Sequence, residues 1–290
     1  MRRTIALMTD TDEFPPLRDA PKGRVPEIRN AYRYLRGAHA SVSGLFDVVH
    51  TLAEARTADG DGRGRVPGEE VDLLRAAIVF TSSGLDASMK RLVNDAGRAL
   101  IPIPGTGARR EYELFLTRKL QEPGCEQRLM SALIDVDPAG ALVKYYLSER
   151  SRASFQGSGD LEKRVRNCLG VAGSRVTSES LKDLDEFFSV RNSIVHSMDY
   201  VDVESSTKYK RSNRSVNDTA TLCKKTFAVA ADLIHAVADV VVAATSAPVP
   251  RRPTERRKAS AATSAHGHRP IAVHGLDSPP LSPSVGANGG

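Results

Sequence analysis

The amino-acid sequence predicts an all-α protein, an antiparallel helical bundle followed by a disordered basic tail. Three observations carry that prediction. Apolar residues recur at three- and four-residue intervals over several long segments, the spacing of core-facing helices. No segment alternates apolar and polar residues as a half-buried strand does. Of the 290 residues 40% are hydrophobic, enough for a sizeable core.

In chain order, residues 1–24 hold Pro15, Pro16 and Pro21 among charges and read as a flexible lead. Pro26 suits the first turn of a long helix within residues 25–58, with Ile28, Tyr32, Leu35, Val42, Leu45, Val49 and Leu52 on one face. That helix either joins the bundle or forms a dimer contact. A Gly/Asp/Arg run, 58–65, is a loop. Pro67, Glu69 and Glu70 then open a second long helix with Val71, Leu74, Ile78, Leu85, Met89 and Leu92 on its apolar face. The segment IPIPGTG, 101–107, breaks the pattern. Shorter helices are predicted over 109–120, 126–134 and 139–152, and Leu161, Val165, Cys168 and Leu169 mark another that ends at Gly170 or Gly173. A final long helix, 216–244, carries Leu222, Phe227, Ala230, Leu233, Val237 and Val241. Asp232, His235 and Asp239 interrupt its apolar run, so it reads as a buried helix and not a membrane span.

Between them lies SESLKDLDEFFSVRNSIVHSM, Ser178 to Met198. Its apolar positions, Leu181, Leu184, Phe188, Val195 and Met198, widened by Phe187 and Ile194, describe one helix capped by Thr177 or Ser178. Arg191 falls where the next apolar residue belongs. A guanidinium is costly to desolvate unless it is paired or faces a site, so that position points to a partner, a crevice or an interface. Asn192 and His196 follow Phe188 at intervals of four. A permanent cation and a group that titrates near neutral pH thus stand side by side. The ordinary readings are an ion pair within the bundle, for example with Asp86, and a core or helix-end histidine.

Composition narrows the functional classes. Lysine and arginine total 41 against 35 acids, a net charge of +6 with a sequence pI near 9.3, compatible with nucleic acid as a partner. Cys125, Cys168 and Cys223 have no metal or redox spacing and read as reduced thiols of a cytoplasmic chain. No secretory leader is evident in the first residues. There is no phosphate-binding glycine loop, HExxH or GxSxG, and aromatics are only 5%, with no tryptophan. No metal or other cofactor is expected. The loop KYKRSNR offers Lys208, Lys210, Arg211 and Arg214 to RNA phosphates, and RRPTERRK in the tail adds further basic charge. From 246 to 290 the composition is that of a disordered segment, in which His266, His268 and His274 make a poor metal site.

At RNSIVH, Arg191 to His196, the chain resembles the HEPN domain family, and more narrowly its RiboL-PSP type. The family signature is Arg, four to six residues, then His, with a polar residue such as Asn192 after the Arg. LLRAAIVFTSSGLDASMKRL, 73–92, resembles that type's long helix, with Asp86 near its acidic position, and LEKRVRNCLGVAG, 161–173, resembles the short helix before the motif. The resemblance covers residues 67–245. Arg33 to His39 also fits the spacing and reads as chance, because it lacks the Asn and lies in a polar run.

The resemblance implies a metal-independent endoribonuclease, a toxin or phage-defence effector whose reaction leaves a 2',3'-cyclic phosphate. In it His196 would move the proton, Arg191 would stabilise the phosphorane charge, and Asn192 would orient the histidine or hold a phosphate oxygen. Asp86 would support the site. The implied assembly is a homodimer with facing motifs, and an antitoxin or defence-system partner would restrain it. Regulation by tyrosine modification is in doubt, since Met198 and not tyrosine stands two residues after His196. The alternatives are a noncatalytic HEPN module that dimerises or binds nucleic acid, and an unrelated helical scaffold.

Overall fold

Two long antiparallel helices frame the protein, whose structure, a computed structural model, describes residues 14–58, 67–171, 176–201 and 210–246. They are α1 (Pro26–Ala58) and α2 (Gly68–Leu100). Cross-helix bonds fix their register: Asn30 Nδ2 donates to Asp95 Oδ2 at 3.2 Å, Ser88 Oγ to the Ala31 carbonyl at 2.8 Å, and Arg56 pairs with Glu70 at 2.8 Å. Where they cross, a Cβ on Gly84 would stand 2.1 Å from that of Ala38, so this approach requires glycine.

The last helix, α9 (Val216–Ser246), packs on both. Cys223, Phe227, Ala230, Leu233, Ile234, Val237 and Val241 are buried there. By length and composition α9 is apolar enough to cross a membrane, with a mean hydropathy of 1.9 over its most apolar window, half of which is buried in the protein. Burial pushes the Cys168 and Cys223 thiols up, to about 11 and about 12, while Cys125 is exposed.

A side layer follows: α3 (Gly107–Gln121), α4 (Gln127–Leu133) and α5 (Pro138–Ser151), in which Leu129, Ala132 and Tyr145 form a small core of their own. A single helical turn, α6 (Ser158–Leu161), continues into a π-turn, Glu162–Asn167, where one plain short helix was expected. Gly170 closes it at φ +69°, its backbone against Gly107, where no side chain fits. All of the described elements are helical apart from one antiparallel bridge between Tyr200 and Arg211.

Two expectations need correction. The motif segment is not one helix but two, α7 (Ser178–Lys182) and α8 (Asp185–Ser197). Leu184 sits between them at φ −88°, ψ −3°, and the turn allows both Leu181 and Leu184 to be buried. The lead is no free arm from Phe14 onward. Phe14 stacks on Phe46 with ring centroids 5.0 Å apart, Arg18 pairs with Asp232 at 2.5 Å, and His235 Nε2 donates to the Asp19 carbonyl at 2.9 Å. Proline-rich composition masked a strap whose buried aromatic outweighs the flexibility of its neighbours. The tail lies outside the described residues.

Candidate functional site

The α7–α8 segment is held at both ends. At the entrance to α7 Thr177 Oγ1 accepts from the Ser180 N–H at 3.1 Å and Ser180 Oγ accepts from the Thr177 N–H in return, a reciprocal cap. Ser178 Oγ donates to Glu162, and Arg166 Nε donates to the Val176 carbonyl at 2.9 Å, so the π-turn fixes where α7 begins. Phe187 and Phe188 are buried at 1% and 2% exposure, each worth about 2 kcal/mol, and they seat α8 against α2 and α9.

The buried stripe continues through Ile194 and not through Val195 and Met198, which are 46% and 61% exposed. Periodicity alone does not decide between two neighbouring faces of a helix. Arg191 and Asn192 are half-buried at the edge of this stripe, and His196 is exposed. Arg191 Nη1 donates to Asn192 Oδ1 at 2.8 Å. Around a helix Asn192 and His196 are only about 40° apart, whereas Arg191 is about 140° from His196. The bond to Asn192 therefore leans the guanidinium toward the histidine's side. His196 has no hydrogen bond or ion pair among the described residues, so its ring is available to a ligand.

Asp86 does not belong to this group. Its Oδ1 accepts from the Phe155 N–H at 2.9 Å and its Oδ2 pairs with Lys90 at 2.7 Å, so it caps the turn after α5 and makes no ion pair with Arg191.

Immediately beyond α8 lies a buried ion cluster that sequence reading missed. Met198 and Asp199 both have left-handed backbones, φ 51° and 63°, and both N–H groups turn back onto the Ser193 carbonyl. Such backbone costs on the order of 1 kcal/mol per non-glycine residue and persists only when its surroundings insist. Here they do. The fully buried Asp199 carboxylate accepts from Arg75 Nε at 3.0 Å, from Arg214 at 3.0 and 2.6 Å, and from Ser193 Oγ at 3.1 Å. Arg75 also donates to the Ser212 carbonyl at 2.6 Å and pairs with Asp72 at 2.8 Å. Burial alone would raise the Asp199 carboxyl, but hydrogen bonds from Arg214 and Arg75 hold it below the ordinary range. The Arg211 hydrogen bond does the same for Asp72. One signal was available. Arg75 interrupts LLRAAI as Arg191 interrupts its own stripe, and the same criterion selects it.

The cluster also corrects the reading of the basic loop. Arg211 donates to the Met198 carbonyl at 3.0 Å and pairs with Asp72 at 2.8 Å, while Arg214 is committed to Asp199. Both therefore close the loop onto the motif helix and are not free for phosphate. Lys210 is exposed, and Lys208 lies outside the described residues. The second spacing match separates in space: Arg33 is exposed on α1, whereas His39 packs between Phe14 and Phe227, its Nε2–H on the Pro15 carbonyl at 2.9 Å. Among the described residues no three histidine, cysteine or acidic side chains gather as metal ligands. No family model, curated protein or solved structure matches this chain.

Proposed function

We propose that the chain is a HEPN-type endoribonuclease that cleaves RNA without a metal ion. The observation that carries this reading is the accessible Arg191–Asn192–His196 group on the last turns of α8, with the helix end locked by the Asp199 cluster. In the proposed reaction the RNA 2'-oxygen bonds to the adjacent phosphorus and the bond from phosphorus to the 5'-oxygen breaks. His196 takes the 2'-hydroxyl proton or supplies one to the leaving 5'-oxygen, a role typically worth about 10² to 10⁴ in rate. Arg191 steadies the charge on the phosphorane oxygens with its planar donors, and Asn192 orients that guanidinium. The product end is a 2',3'-cyclic phosphate. A toxin or phage-defence effector, paired with a restraining partner, fits such an activity.

Because Arg191 and His196 diverge around the helix, the complete site in this reading combines motifs from two copies. Val195, Met198 and Val201, exposed and close to His196 in the chain, supply apolar surface for that contact. The same divergence favours the second reading, a noncatalytic HEPN module. Incubating purified protein with structured RNA in EDTA separates them. The ribonuclease reading expects cleavage that persists with chelator and falls at least a hundredfold in His196→Ala. Binding without cleavage by a dimeric preparation favours the module.

A further inference from the structure

Several arginines of the described residues are answered by an acid, as Arg109 is by Glu113, Arg128 by Glu149 and Arg166 by Glu162. The exposed Arg110 and Arg118 of α3 are not, and one region gathers several such cations. Lys22, Arg24, Arg29, Arg33 and Arg36 are all exposed, fall within a short stretch of strap and α1, and make no ion pair among the described residues. On α1 the positions 29, 33 and 36 span only about 60° around the axis and about 10 Å along it, a single basic stripe. The antiparallel register that joins Asn30 to Asp95 sets the exposed Arg98 of α2 level with the start of that stripe. Few acids oppose it. Glu27 is half-buried on the same helix, Asp19 lies on the strap, and Asp95 is already shared by Asn30 and Arg91 at 3.2 and 2.7 Å.

Beside the stripe is an open hollow of about 460 Å³ between α1 and α2, lined by Asn30, Arg33, Tyr34 and Arg91. Guanidiniums enter it from both helices. Tyr34 stands at its edge 55% exposed, an aromatic ring left in solvent on a chain with few aromatics. Cations in a row beside a free ring are the two components of single-strand nucleic-acid binding, backbone neutralisation and base stacking.

We infer that this α1–α2 face is a binding surface for single-stranded RNA, with Arg29, Arg33 and Arg36 on successive phosphates and a base stacked on Tyr34 beside Arg91. It lies outside the motif on α8 and draws on the ribonuclease reading only for the choice of RNA. It assigns phosphate contact to the helix arginines and not to Arg211 and Arg214, which are spent internally.

The test is fluorescence anisotropy of a labelled single-stranded RNA with full-length protein carrying His196→Ala, over a range of salt. That background removes any dependence on cleavage. Each phosphate contact on a single strand contributes about 0.7 to the slope of log affinity against log salt. Replacing Arg29, Arg33 and Arg36 by Ala should therefore weaken binding at least tenfold and lower the slope by about 2. Tyr34→Ala should weaken it about tenfold with the slope unchanged, since stacking releases no counterions. All four side chains are exposed, and circular dichroism of the variants should match the parent. Equal affinity and slope in the triple variant overturn the inference. So does loss of binding to phosphatidylserine vesicles while RNA binding is kept, because the face would then read lipid. Absence of cleavage by the wild-type chain, with the triple-variant effect present, sinks the ribonuclease reading alone.

Discussion

Asp199 decides how the motif helix ends. Its carboxylate joins α2, the loop after residue 210 and the end of α8 at one buried point. Removing one partner of such a cluster leaves uncompensated charge, so Asp199→Asn is expected to cost about 3 kcal/mol, seen as a fall in the urea midpoint. A cost within experimental error would show that the cluster does not brace the helix. The pH sign follows from the same contacts. Asp199 and Asp72 titrate below their ordinary range in the folded chain. Their contribution is complete above the unfolded value of about 3.9 and is lost as pH falls through the lower folded values. Between pH 5 and pH 3 the wild type should therefore lose more stability than Asp199→Asn. Parallel losses would remove the argument. For the catalytic proposal, Asp199→Asn should lower activity by displacing His196 and Arg191, although it touches neither.

At the scale of elements the strap over α1 and α9 carries its own pH dependence. His39 is lowered by burial between Phe14 and Phe227, the Pro15 carbonyl opposing that shift only in part. The groups facing it are the cations Arg18, Lys224 and Lys225, with Asp232 engaged by Arg18. A histidine whose folded value is depressed stabilises the fold fully above its unfolded value of about 6.5, and that stability declines as pH falls toward the folded value. Amide protection factors over residues 17–22, taken against the intrinsic exchange rate at each pH, should fall between pH 7.5 and 5.5 in the wild type and stay level in His39→Phe. An equal fall in both would assign the effect elsewhere. The strap was illegible in the sequence because proline and charge describe a lead well until Phe14 finds Phe46, 32 positions away by number.

For the whole molecule the controlling contact is the α1–α2 crossing. In Gly84→Ala two effects compete: helix propensity favours alanine by up to about 1 kcal/mol. The new Cβ, however, would stand 2.1 Å from Ala38, and overpacking costs about 1 to 3 kcal/mol. The clash should win, lowering the thermal midpoint with helicity intact at low temperature. A variant more stable than wild type would mean that the two helices part at little cost.

The sequence by itself determined the helical class and the long helices, because three- and four-residue periodicity is local and each amphipathic face must be buried somewhere; the break between α7 and α8 and the π-turn it did not show. Pro26, the Pro67–Glu69–Glu70 start and the Thr177 cap marked beginnings to within a residue or two. It also made Arg191, Asn192 and His196 conspicuous, since an arginine in an apolar stripe is a local anomaly. Only the tertiary structure decided which face of α8 is buried, leaving Val195 and Met198 in solvent. It alone showed that Arg211 and Arg214 serve the fold, that Asp86 serves a turn, and that Asp199 meets an arginine 124 residues earlier in the chain. The reason is physical. A helix follows from neighbours in sequence, whereas the partner of a buried charge is fixed by how helices far apart in the chain come to rest.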